Sequence, residues 1–168
     1  MENRKNRIFT EVLLCVYAVL LVWIVLLKLS APADLKYLRC ERSLNLIPFH
    51  YGTEVGTHLD EVILNVLVFI PLGLYCGMLG RKAWKAILIG FGVSFAFEAV
   101  QYAFAIGAAD VTDLITNTAG TAIGACIYLI LHRVCRRTDR LHRVLNIVLC
   151  IGTALFVGAA AFLLLANA

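Results

Sequence analysis

The run Glu98-Ala99-Val100-Gln101, followed by Asp110-Val111-Thr112-Asp113-Leu114-Ile115-Thr116-Asn117, sets three carboxylates among amides and hydroxyls, at the meeting point of two apolar segments. A chain folded in water would expose this run and hide its neighbours. Here the composition forbids that: 61% of the 168 residues are hydrophobic, 15% are charged, and the mean hydropathy is +0.86. An ordinary soluble domain has about 25% charged residues. So much apolar surface does not fit inside 18.5 kDa, and the implied solvent is lipid. Ionisable groups at membrane depth are expensive and mark sites or buried pairs. The stretch from Glu98 to Asn117 is therefore the one around which the rest is read.

Outward from it, five apolar runs approach the roughly 20 residues that a helix needs to cross a bilayer: 8–29, 62–79, 86–106, 114–131 and 144–166. None alternates with period two, so the expectation is an all-α integral membrane protein with five transmembrane helices and not a β-barrel. The second run contains Pro71 and Gly73, which a membrane helix tolerates as a kink. The length fits a single membrane domain over 1–168.

Charge sets the expected orientation. Arg4, Lys5 and Arg7 precede the first run. Arg81, Lys82 and Lys85 separate the second from the third. Arg133, Arg136, Arg137, Arg140 and Arg143 separate the fourth from the fifth, so that 11 of the 15 basic residues fall on one side. By the positive-inside rule that side is cytoplasmic, as is the N-terminus, and the C-terminus is extracellular. Ala31-Pro32-Ala33 loosely resembles a cleavage site, but the first apolar run exceeds the 7–15 residues typical of a signal peptide, and an uncleaved anchor is expected. The outer loop, about residues 30–61, contains the amphiphilic stretch Leu44-Asn45-Leu46-Ile47-Pro48-Phe49, expected to lie along the outer membrane surface.

Other function classes fall away. The net charge of +4 comes from basic residues confined to short loops, so no nucleic-acid partner is expected. The six cysteines include no Cys-x-x-Cys pair, which argues against disulfides and zinc and for buried small hydrophobes. No cofactor is expected. His50 and His58 with Asp60, Glu61, Asp110 and Asp113 match no metal motif, and no metal is expected, Asp110 and Asp113 being the acids a cation would use. His132 and His142 lie among arginines, where they would face anionic headgroups.

Glu98 and Gln101 are three apart on one helical face, Asp113 and Asn117 four apart on another, and Asn65 sits one turn into the second helix from the same side. All of them fall in the outer leaflet, with no polar group expected in the inner halves of the helices. Asp113 is either the N-cap of the fourth helix or a ligand contact, and Asp110 either a solvated loop acid or a ligand contact. Asn65 and Asn117 are ligand contacts or interhelical hydrogen-bond donors. Glu98, a mid-helix acid, has no capping role to explain it. Gly120 and Gly124 form a Gly-x-x-x-Gly pair suited to close helix approach.

These residues resemble the VanZ-like family: Asn45-Leu46-Ile47-Pro48-Phe49, Asn65-x-x-x-Phe69-x-Pro71-x-Gly73, Glu98-x-x-Gln101 and Asp110-x-x-Asp113-x-x-x-Asn117-x-x-Gly120-x-x-x-Gly124. The similarity covers 44–131 as a core of helices two to four, flanked by the helices at 8–29 and 144–166. It implies a multi-pass protein of the bacterial cell membrane connected with low-level resistance to the glycopeptide antibiotic teicoplanin. Many members carry an Arg shortly before the first Asp, whereas this chain reads Ile106-Gly107-Ala108-Ala109.

Three functions compete. The first is a non-catalytic module at the outer face that reduces susceptibility to lipoglycopeptides. Its partners are membrane lipids and either the antibiotic or a lipid-linked cell-wall precursor, with Asn65, Glu98, Gln101, Asp110, Asp113 and Asn117 binding the ligand. The second is an enzyme acting on a lipid-linked pyrophosphate with Glu98 as acid or base. The third, a transporter, is disfavoured because the polar groups occupy one leaflet.

Overall fold

Without water to satisfy its backbone, a membrane segment must close its own hydrogen bonds, and a helix does so within one segment. The computed structural model of the chain describes residues 4–26, 43–49, 55–106, 108–135 and 137–166. It contains α1 (Arg4–Val25), β1 (Ser43–Asn45), α2 (Val55–Met78), α3 (Ala83–Phe104), β2 (Ala108–Asp110), α4 (Val111–Val134) and α5 (Thr138–Ala166). All five helices are long and apolar enough to cross a membrane, as hydropathy predicts. All five start earlier than the apolar runs, because a helix continues until it is capped, not until hydrophobicity ends. The Ala31-Pro32-Ala33 stretch and His50 lie outside the described residues.

The chain forms two compact units, one built of α2, α3, the strands and α4 as far as Ile130, the other of α1 and α5. In the first, glycine decides how α2 and α4 meet. A Cβ on Gly120 would run into the Val66 carbonyl, one on Gly124 into the Ile70 carbonyl, and one on Gly73 into the Thr121 carbonyl. The two backbones therefore touch directly, as the Gly-x-x-x-Gly spacing predicts. Gly90 of α3 lies equally close to the Thr121 side chain of α4. Phe69 and Phe97 join α2 to α3 edge to face, with ring centroids 6.5 Å apart.

The unit is inverted relative to a soluble domain. Ser94, Glu98, Gln101, Thr112, Thr116, Asn117 and Thr121 are buried, whereas Ile63, Leu67, Leu88, Phe91 and Phe95 are exposed. At most 39% of any span is buried within the protein. The remaining apolar surface is covered by lipid.

In the second unit, α1 buries Thr10, Leu13, Tyr17 and Leu21, and α5 buries Leu141, His142, Leu145, Asn146 and Leu149. The Thr10 hydroxyl lies 2.9 Å from the Asn6 carbonyl and 3.1 Å from Asn146 Oδ1. Asn146 Nδ2 donates to the same Asn6 carbonyl at 3.5 Å. Two sequence expectations are corrected here. His142 does not face headgroups but is 2% exposed, and the first third of the fifth span carries buried polar groups, Asn146 among them. α5 is already helical from Thr138, so His142 and Asn146 fall on one helical face with Leu141, Leu145 and Leu149, and Arg140 and Arg143 are exposed.

The strands were not legible in the sequence. β1 and β2 pair in parallel, with Ser43 opposite Ala108, Leu44 opposite Ala109 and Asn45 opposite Asp110. Three residues are too few to show a period.

The glycine contacts predict opposite responses to one added methyl group. Gly124→Ala must push α4 off a backbone carbonyl and lowers stability at the upper end of about 1–3 kcal/mol. Gly92→Ala, where a Cβ meets nothing within 4 Å, holds or gains stability by up to about 1 kcal/mol. Thermal unfolding of the detergent-solubilised variants measures both.

Candidate functional site

At the end of α3 the chain turns through Ala105, whose φ of 55° is left-handed. The turn is closed by Ala105 N–H to the Tyr102 carbonyl at 3.4 Å and Ile106 N–H to the Gln101 carbonyl at 3.1 Å, a Schellman arrangement. The tight closure leaves only a short connection before α4, so the start of α4 falls beside the last turns of α3. Glu98 lies about 9 Å below Phe104 at a rise of about 1.5 Å per residue, and the connection folds back to that level.

Asp110, not Asp113, is the N-cap of α4. Its Oδ1 accepts the Thr112 N–H at 2.7 Å, and its Oδ2 accepts from Asn45 Nδ2 at 3.1 Å. Both oxygens of this acid are thus engaged, which corrects its reading as a solvated loop residue. The N-cap N–H of Asp110 donates to Glu98 Oε2 at 2.8 Å. In a capping box that N–H is met by the side chain at the third helical position; here an acid from the neighbouring helix meets it. Glu98, 8% exposed, therefore has a structural partner after all.

The third helical position is Asp113, and its Oδ1 accepts from Asn65 Nδ2 of α2 at 2.8 Å. The Asp113 carbonyl lies 3.5 Å from Ser94 Oγ and 3.3 Å from Thr116 Oγ1. Ser94 Oγ in turn accepts from Asn117 Nδ2 at 3.0 Å, and Thr121 Oγ1 donates to the Asn117 carbonyl at 3.1 Å. Three helices are knitted through one face of α4. Asn117 is 1% exposed, and its Oδ1 accepts no hydrogen bond among the described residues. Gln101, 3% exposed, lies one turn beyond Glu98 on the same face of α3.

The six sequence-predicted residues thus gather at one end of this unit. Asn65, Asp110 and Asp113 are half-buried at the rim, and Glu98, Gln101 and Asn117 lie inside. Asp60 and Glu61 are exposed on α2 and His58 lies in its first turn. Among the described residues no three of His, Cys, Asp and Glu gather as they would around a metal.

Three contributors escaped sequence reading. Asn45 accepts the Ile47 N–H at 3.1 Å, an Asx turn, while its Nδ2 holds Asp110. Thr112 Oγ1 accepts the Phe49 N–H at 3.1 Å, and Ser94 bridges α3 to α4. The signal for Asn45 was its place ahead of Ile47-Pro48; Ser94 in a helix of mean apolar character carries none. No Lys or Arg occurs between Lys85 and Arg133; Asp110 accepts from the Asn45 amide and the Thr112 N–H, Glu98 from the Asp110 N–H, and Asp113 from the Asn65 amide.

Glu98 has a testable division of roles. Glu98→Gln keeps an oxygen for the Asp110 N–H and retains stability to within about 1 kcal/mol, whereas Glu98→Ala strands that buried donor at a cost of about 1–3 kcal/mol. Unfolding midpoints in detergent separate the two.

Comparison with known proteins bears on this arrangement. The VanZ/LLP1 family model matches residues 14–132. The chain is 40% identical over 130 residues to "Protein VanZ" of Enterococcus faecium, covering 73% of this chain and 75% of that protein. No solved structure matches. The matched residues take in α2, α3, both strands and α4 as far as His132, hence the whole hydrogen-bonded cluster, and the chain is a multi-pass membrane protein that belongs to the VanZ/LLP1 family.

Proposed function

We propose that this protein lies in the bacterial cell membrane, with its N-terminus cytoplasmic and its C-terminus extracellular, and lowers susceptibility to teicoplanin. It acts without catalysis, through the polar cluster at its outer face. The observation that carries this reading is that Asn65 of α2, Ser94 of α3, and Asp113 and Asn117 of α4 converge by hydrogen bonds. They do so at the end of the unit remote from Arg81, Lys82 and Lys85 of the α2–α3 turn. By the positive-inside rule the basic end is cytoplasmic and the acidic end faces out. The α1–α5 contact supports the same topology, because Thr10 and Asn146 both lie near the N-terminal ends of their helices.

The ligand is a lipid-tailed glycopeptide or the lipid-linked cell-wall precursor such an antibiotic recognises. Half-buried Asn65, Asp110 and Asp113 meet its polar part. An acid or base role for Glu98 on a lipid-linked pyrophosphate has less support: Oε2 is committed to a backbone N–H and both Asp110 oxygens to donors of this chain.

Expression in a susceptible Gram-positive host raises the inhibitory concentration of teicoplanin and changes that of vancomycin less. Asn65→Ala and Asp113→Ala remove the effect at unchanged membrane abundance, and Gly92→Ala keeps it. Equal susceptibility with and without the protein rejects the reading. Orientation is checked separately: alkaline phosphatase fused after Ala166 is active, and fused after Val134 it is inactive. The reverse pattern inverts the site.

A further inference from the structure

We propose that Leu44–Phe49 is a membrane-seated lip whose apolar side chains insert into the interfacial layer of the bilayer at the end of the protein where α4 begins. Leu44, Leu46, Ile47 and Phe49 are 55%, 69%, 59% and 51% exposed. Burying such side chains is favoured over leaving them in water. Four of them within six residues call for a covering medium.

The segment is firmly held. β1 pairs with β2, Asn45 Nδ2 donates to Asp110 Oδ2, Asn45 Oδ1 accepts from Ile47 N–H, and the Phe49 N–H donates to Thr112 Oγ1. Phe49 has φ 53°, a left-handed conformation that an aromatic residue seldom adopts. Thr112, 2% exposed, anchors it there. The polar links close within the segment or run to β2 and the start of α4, and the large apolar side chains are left for another phase.

The register says which phase. Asn45 lies opposite Asp110, and the span Val111–Val134 begins at the next residue. The lip is thereby held beside the first turn of a helix long and apolar enough to span the membrane, and the interfacial layer takes up amphiphilic segments with apolar side chains. Pro48 suits it, having no backbone N–H to satisfy. A protein partner fits poorly, since a stable interface needs about 20–30 residues a side and the lip is a single short segment. Seated in this way, the lip also sets the depth of Asp110 and of the rim residues beside it. The inference needs only the membrane spans and is independent of the antibiotic reading.

The test uses tryptophan fluorescence of the full chain in phosphatidylcholine–phosphatidylglycerol vesicles, with Trp23→Phe and Trp84→Phe removing the native signals. Ile47→Trp gives blue-shifted emission, quenched more by lipids brominated near the carbonyl end of the acyl chain than by lipids brominated near its methyl end. It resists aqueous acrylamide. Red-shifted emission quenched by acrylamide and untouched by brominated lipid overturns the proposal, because the lip is then in water. Blue-shifted emission without bromine quenching also overturns it, because protein then covers the lip. Phe49→Trp gives an independent reading should Ile47→Trp fail to fold.

Discussion

The corner between α3 and α4 depends on one hydrogen bond, 2.8 Å from the backbone N–H of Asp110 to the carboxylate of Glu98. A helix that starts at a membrane boundary has unpaired N–H groups in its first turn, and water is scarce there. An acid from the preceding helix meets one of them, and Asp110 itself meets another at Thr112. With the N-cap N–H satisfied from α3, the Asp113 side chain reaches across to Asn65 of α2. One bond thereby links the order of the corner to the cohesion of three helices.

That cohesion needs a second ingredient. Hydrogen bonds between helices in lipid contribute modestly, about 0.6 kcal/mol on average in measured cases. They form here because Gly73, Gly120 and Gly124 let the α2 and α4 backbones touch, so that short side chains such as Asn65 and Asp113 meet. Close backbone packing and polar bridging are two parts of one contact. The carboxylates take N–H donors from the Asn45 and Asn65 amides and from the backbone of Asp110 and Thr112. Hydrogen bonds to an ionised group are the stronger kind, and in a low-dielectric setting the partners rigidify one another.

The same economy shapes the edge of the protein. Asn45 serves two masters, turning its own segment through Ile47 and holding the N-cap acid of α4. A residue of β1, ahead of α2, is thus part of the frame of α4, and the rim of the polar cluster is built from segments far apart in the chain.

Five spans, their approximate positions and the gathering of Asn65, Glu98, Gln101, Asp110, Asp113 and Asn117 at one end were legible in the sequence. Hydrophobic length and helical spacing report them directly, and polar residues in a greasy chain stand out against their background. The Gly-x-x-x-Gly contact was legible for the same reason. Which acid caps α4, the pairing of Asn45 with Asp110, the partner of Glu98 and the burial of His142 were decided only by the tertiary structure. Each of these turns on where a helix starts, to within a residue or two, and on which donors from distant segments arrive beside it. Apolar run lengths do not register a shift of that size, whereas a hydrogen bond of 2.7–3.1 Å tolerates none.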